Sequence, residues 1–173
     1  MKKFLSGFVC GIGVSLAAVW GCQKLLRRVL TPLDDWTWNE ENLPKPYVYH
    51  GKVVGIQFGN VVFALHDAPA QMNFNHAWDY CKKQKIGDKE CCLPNVGLEK
   101  SVSAVFAALN EMLVKFGGEP LKALENNGYW AADNHLQEKS LAWIVAFCNQ
   151  ASDYYERSEL AYVRPVIFLE EEL

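Results

Sequence analysis

The last third of the chain most constrains what it can fold into. Three apolar pieces stand there: Gly128-Tyr129-Trp130, Ala142-Trp143-Ile144-Val145-Ala146-Phe147 and Tyr162-Val163-Arg164-Pro165-Val166. Each reads as a short strand, rich in aromatic and β-branched residues. Loops of Asn, Asp, Glu, Gln and Tyr separate them. Such a pattern describes a scaffold that presents loops rather than a cleft that hides chemistry. Within the middle piece Leu141, Trp143, Val145 and Phe147 alternate towards one face. In the last, Pro165 lacks a backbone N–H and so predicts an edge or a bulge.

A chain of 173 residues has room for one domain and an appendage, and with half of it hydrophobic a core can form. Charge is unevenly spread. The first thirty residues hold five basic residues (Lys2, Lys3, Lys24, Arg27, Arg28) and no acid. The other 12 basic residues stand against all 20 acidic ones, a net −8 for the body of the chain. An acidic body lacks the electrostatic footprint for nucleic acid.

The basic N-terminal residues bracket an uncharged apolar run from Phe4 to Gly21. Its length approaches the roughly 20 residues that span a bilayer. A retained signal anchor over 1–30 fits best, because the run is long for a cleaved signal and no Ala-x-Ala site follows. A lipoprotein signal ending at Gly21-Cys22 is second, with Trp20 bulky where a small residue is wanted. A buried helix of the folded domain is third. Gly7 and Gly11 have the small-xxx-small spacing of associating membrane helices. The charges on the two sides of the run are nearly balanced; an N-in anchor with a periplasmic or extracellular domain is expected.

Residues 31–46, with Pro32, Pro44, Trp36 and Trp38, read as a linker. The domain proper is expected over 47–173. Val53 to Phe58 and Val61 to Leu65 form a hairpin around Gly59-Asn60. Asn73 caps a helix with Phe74, Ala77, Trp78 and Cys81 on one face. Residues 88–94 read as a loop. A longer helix over 98–116 carries Val102, Val105, Phe106, Leu109, Met112, Leu113 and Phe116 as a continuous apolar stripe. Gly117-Gly118 and Pro120 end it. Cys81, Cys91, Cys92 and Cys148 suit either two disulfides, in three possible connectivities, or four small buried hydrophobes. A vicinal Cys91-Cys92 pair rarely bridges to itself.

The order of these elements, and five motifs within them, resemble the C-type-lectin-like domain in its bacterial and phage branch. The motifs are Phe74-Asn75-His76-Ala77-Trp78-Asp79-Tyr80-Cys81, Leu93-Pro94-Asn95, Tyr129-Trp130-Ala131-Ala132-Asp133, Ala142-Trp143-Ile144-Val145-Ala146-Phe147 and Val163-Arg164-Pro165-Val166. The first has Phe where Trp is usual, and the third replaces both serines of the family pattern. The resemblance runs from Val48 to Leu169. It implies an α+β C-type-lectin-like fold: two helices packed on short antiparallel sheets, long polar loops, and first and last strands paired. It also implies an outward loop surface between Trp130 and Tyr162, of the kind that in relatives binds glycans, proteins or host receptors. Fold alone does not imply function.

No catalytic or metal constellation stands out. The calcium-binding Glu-Pro-Asn or Gln-Pro-Asp loop and Trp-Asn-Asp strand of animal lectins are missing, and no acid cluster offers the six to eight oxygens calcium takes. His50, His66, His76 and His135 are scattered, and no serine is fixed to a base and an orienter. The formylglycine-generating enzymes on this fold use a cysteine pair near the C-terminus, where Cys148 stands alone. No cofactor is expected. The polar stretches Asp133–Lys139 and Asn149–Arg157 supply the candidate ligand surface: Asn134, His135, Gln137, Glu138, Asp153, Tyr154, Tyr155 and Arg157. Trp78, Trp130 and Trp143 read as core. Arg164, alone in an apolar strand, reads as the partner of a buried carboxylate. The expected function is a membrane-anchored, non-enzymatic recognition domain for a glycan or protein. The alternative is a structural or assembly subunit of a membrane or surface complex, and a hydrolase comes last.

Overall fold

The computed structural model describes residues 43–123, 127–134 and 138–170. The expected membrane segment and nearly all of the linker lie outside them. Among the described residues no helix is long and apolar enough to cross a membrane. The described chain is α+β, with two helices and small antiparallel sheets.

Strand β1 (Lys45–Tyr49) opens the domain two residues before the boundary read from sequence. It turns through His50 and Gly51, at φ 48° and 76°, into β2 (Lys52–Phe58). Two left-handed residues in a two-residue loop match the twist of the flanking strands. A second tight turn at Gly59-Asn60 leads into β3 (Val61–Ala64), as expected. Gly55 in β2 is required by packing: a Cβ there would lie 2.7 Å from the Phe63 carbonyl oxygen and from Val62 Cγ1.

Helix α1 (Phe74–Lys83) starts where the Asn73 side chain accepts the His76 N–H at 3.0 Å. Its C-terminus runs into a small hairpin, β4 (Lys85–Ile86) and β5 (Lys89–Glu90), in a stretch partly read as loop. Gly87, at φ 68°, makes that reversal. Helix α2 (Leu98–Lys115) buries Val102, Val105, Leu109 and Leu113, every third or fourth residue. Its end is closed by Gly117 at φ 79° and by the Gly118 N–H, which donates to the Leu113 carbonyl at 2.8 Å.

The last third supplies β6 (Tyr129–Asn134), β7 (Leu141–Ala146), β8 (Ala151–Glu156) and β9 (Val166–Phe168). Strand β8 corrects the expectation of a loop over 149–157. Its side chains are mostly exposed, so no hydrophobic alternation marks it; it is held as a strand by residue-for-residue pairing with β7, from Leu141↔Glu156 to Ala146↔Ala151.

The closing segment is the seam of the molecule. Strand β9 pairs with β3, completing the order β1-β2-β3-β9. The expected pairing of first and last strands is therefore not seen in that form. Two tight hairpins place β2 and β3 in succession beside β1, and the edge of β3 is the one β9 takes. Upstream, Val163 and Ala161 bond the backbone of Ala68 and Met72, while Val166 exchanges two bonds with Cys92. Tyr162 bonds Gly128 and Trp130 on the other side. Residues 161–166 are thus mostly buried and bonded on both sides, while β9 itself is the outer strand of its four-stranded sheet. Pro165 is accommodated because only its carbonyl is used, accepting from Ala64 N–H at 2.9 Å.

Because the central strands are covered on both faces, alternate residues feed two cores. Val61, Phe63, Tyr129, Ala131, Val145, Phe147 and Val166 pack with the α2 stripe. Val62, Trp130, Ala142, Ile144 and Ile167 pack with Phe74, Ala77 and Cys81 of α1. The one-faced alternation expected in β7 is thus half of the pattern: the intervening Ala142 and Ile144 are buried too. Of the three tryptophans read as core, Trp130 is fully buried, while Trp78 and Trp143 are half-buried.

Arg164 has the carboxylate partner expected of it. Its Nε donates to Asp67 Oδ1 at 2.6 Å, and its other nitrogens reach the carbonyls of Ala64 and Glu119, both at 2.9 Å. Asp67 Oδ2 accepts from Lys122 Nζ at 2.6 Å and from the Tyr129 hydroxyl at 3.2 Å. Burial, followed by the Asp67 charge, pushes the Tyr129 phenol well above its ordinary pKa. This network ties the chain after β3, the loop after α2, and strand β6 to the closing segment.

Candidate functional site

The N-terminal half of α1 and the outer end of the β6–β7–β8 sheet enclose an open cleft of about 420 Å³. Phe74, Asn75, Trp78 and Asp79 line it from the helix, Ala132 from β6, and Arg157 from just beyond β8. A cleft of this volume falls within the range of small-ligand sites.

Its components follow from local rules. On a helix, positions 75, 78, 79 and 82 fall on one face. Here that face carries Asn75, Trp78, Asp79 and Lys82, and the opposite one carries Ala77 and Cys81 into the core. Trp78 is half-buried: it packs against the α1-side core and lines the cleft. Lys82 Nζ lies 5.3 Å from the centre of the Trp78 ring.

Arg157 is held from several directions. Its backbone N–H donates to the Ser140 carbonyl at 2.8 Å, its Nε donates to the Leu141 carbonyl at 3.2 Å, and its carbonyl accepts the Phe74 N–H at 3.1 Å. Its guanidinium carbon stands 4.5 Å over the Phe74 ring. Beneath them Trp130 donates from Nε1 to the Met72 carbonyl at 2.7 Å, and Phe74 meets Trp130 edge-on at 5.5 Å. The cleft is therefore built on a helix, a strand and a turn whose Arg157 is pinned by three hydrogen bonds.

The residues read from sequence as one ligand surface divide. Arg157 lines the cleft. Tyr155 packs edge-on against Trp130 at 6.4 Å, opposite Ala142, and Asp153 is exposed opposite Ile144. Tyr154 faces the other way, paired with Trp143 at 5.2 Å between ring centres. Glu138 is exposed before β7, and Asn134 ends β6 opposite Ala142. His135 and Gln137 lie outside the described residues. The single surface fails because a strand sends successive side chains to opposite faces. The edge of β8 is also occupied by its own acids: Asp153 Oδ1 accepts the Tyr154 N–H at 2.8 Å, and Glu159 Oε1 accepts the Glu156 N–H at 3.3 Å. Such caps blunt an edge strand against strand addition.

The sequence reading did not place Asn75, Trp78 and Asp79 at a site. The signal was present as polar residues flanking a tryptophan on the exposed side of an amphipathic helix. It was outweighed by the position of Trp78 in a core motif. Among the described residues no group of three or more His, Cys, Asp or Glu side chains could hold a metal ion. A second open cleft, about 530 Å³, lies between the β2–β3 turn and the end of β9, lined by Gln57, Asn60, Lys89 and Glu170 among others. It offers no aromatic surface. No protein-family model matches this chain, and no curated protein matches it.

Proposed function

We propose that this chain is a C-type-lectin-like recognition domain, borne on an N-terminal membrane anchor, and that the α1 cleft is its ligand site. The ligand class is a glycan. The observation that carries this reading is the convergence of an aromatic side chain, a carboxylate, a carboxamide and a guanidinium on one open cleft. The apolar face of a sugar ring packs on Trp78, while Asp79 accepts from sugar hydroxyls, Asn75 both accepts and donates, and Arg157 donates. None of this requires a bond to be broken, which agrees with a binding role. Two helices packed on opposite faces of antiparallel strands support the lectin-like reading of the fold.

The test is glycan-array screening of the detergent-solubilised full chain, followed by titration of the best hits. Trp78→Ala and Asp79→Ala are expected to weaken binding by at least tenfold, and Asp79→Ala, at an exposed helix position, should leave the thermal midpoint within a few degrees. Retained affinity in both variants would remove the cleft as the site. A blank array together with a stoichiometric co-purifying protein would favour the assembly role instead.

A further inference from the structure

We propose that Cys81 and Cys91 form an intramolecular disulfide when the chain folds under oxidising conditions, and that Cys92 and Cys148 stay outside it. The backbone sets up the pairing. Cys81 lies in the last turn of α1, and the helix ends at Gln84, whose N–H donates to the Cys81 carbonyl at 2.9 Å. The β4–β5 hairpin then reverses the chain, and the Cys91 N–H donates to the Gln84 carbonyl at 3.1 Å. Two consecutive backbone bonds therefore bring Cys91 back to the final turn of the helix. Both side chains enter the same α1-side core, at 1% and 4% exposure.

The vicinal arrangement excludes the competitor. Adjacent residues of an extended segment point to opposite faces. Cys92 accordingly packs on the α2-side core and directs its Sγ to the Val166 carbonyl at 3.5 Å. Cys148 follows β7, in a different sheet. Burial raises both thiols; Cys81 is raised further by Cys91 and then Cys92, and Cys91, pushed up to about 12, by Cys92, so the choice of partner rests on the backbone geometry and the shared core. High pKa values and shielding make the pair unreactive in the folded dithiol. The bridge consequently forms during folding or local opening. Two S–H bonds break, one Sγ–Sγ bond forms, and an external disulfide of the glutathione class accepts the two electrons and two protons as two thiols.

The bridge would clasp the end of α1 to the strand that leads into Leu93-Pro94. Pro94 in turn accepts the Ala132 N–H at 2.8 Å, so the clasp braces the helix and the sheet that flank the cleft. It stands independently of what the cleft binds.

The experiment refolds the reduced full chain from urea with a mixture of reduced and oxidised glutathione, then alkylates and maps peptides. The expected result is a Cys81–Cys91 cross-linked pair, with Cys92 and Cys148 alkylated. The cross-link should persist in Cys92→Ala and be lost in Cys91→Ala. Fragment sequencing of the wild-type peptides gives the same answer should a variant not refold. Alkylation of both Cys81 and Cys91, or a bridge from Cys81 to any other cysteine, would overturn the proposal.

Discussion

Replacing Asp67 with alanine removes the carboxylate that, among the described residues, pairs with Arg164. Both side chains are shielded, Arg164 at 0% and Asp67 at 3% exposure. In Asp67→Ala the guanidinium keeps its bonds to Ala64 and Glu119 but loses its counter-charge, and the Tyr129 hydroxyl loses its acceptor. Breaking a buried pair by removing one partner costs about 3–5 kcal/mol. The Lys122 contact adds little, because its side chain is 38% exposed and solvent screens the pair. A domain of this size is held by about 5–15 kcal/mol in all. With a urea slope of about 2 kcal/mol per molar, the denaturation midpoint should fall by about 1.5–2.5 M. The assay is urea denaturation followed by tryptophan fluorescence, since Trp130 is wholly buried. Arg164→Met should be costly alone, yet the double variant Asp67→Ala/Arg164→Met should cost less than the two single changes added together, by about 1–3 kcal/mol. A loss below about 1 kcal/mol in Asp67→Ala, or strict additivity in the cycle, would refute the reading of a desolvated, mutually dependent pair.

Two further outcomes are expected. In the fully reduced chain, stability should fall as pH rises above about 9: Cys81, Cys91, Cys92 and Tyr129 all have raised folded-state pKa values, chiefly through burial, so the unfolded chain releases protons first. Each such group contributes a slope of about −1.4 kcal/mol per pH unit between its unfolded and folded values, so urea midpoints at pH 7 to 11 check it, and a flat profile would contradict the burial of these groups. Gly118→Ala should destabilise by about 1–3 kcal/mol, because the new Cβ would stand 2.5 Å from the Leu65 carbonyl oxygen; a thermal midpoint equal to wild type would show that the loop after α2 yields without cost.

Local physics made much of the architecture legible from the residues. The Gly59-Asn60 turn, the Asn73 cap, the α2 stripe and the Gly117-Gly118 stop each depend on neighbours within a few positions. So does the isolation of Arg164 in an apolar strand, which demanded a carboxylate without naming Asp67. Strand β8 was not legible, since its exposed, polar side chains carry no period and its structure is imposed by β7. The two-sided bonding of residues 161–166 was hidden for a related reason: Pro165 argues for an edge, and only the approach of Cys92 and Gly128 makes the segment a seam.

The candidate site divides along the same line. From the sequence alone Arg157 could be placed near a ligand surface, and Trp78 on an amphipathic helix. Only the tertiary structure decided that these two share a cleft with Asn75 and Asp79 while Tyr154 faces away. The reason is geometric. Helix and strand periods are set by adjacent residues, but the distance between the α1 face and the end of β8 is set by the α1-side core packed between them.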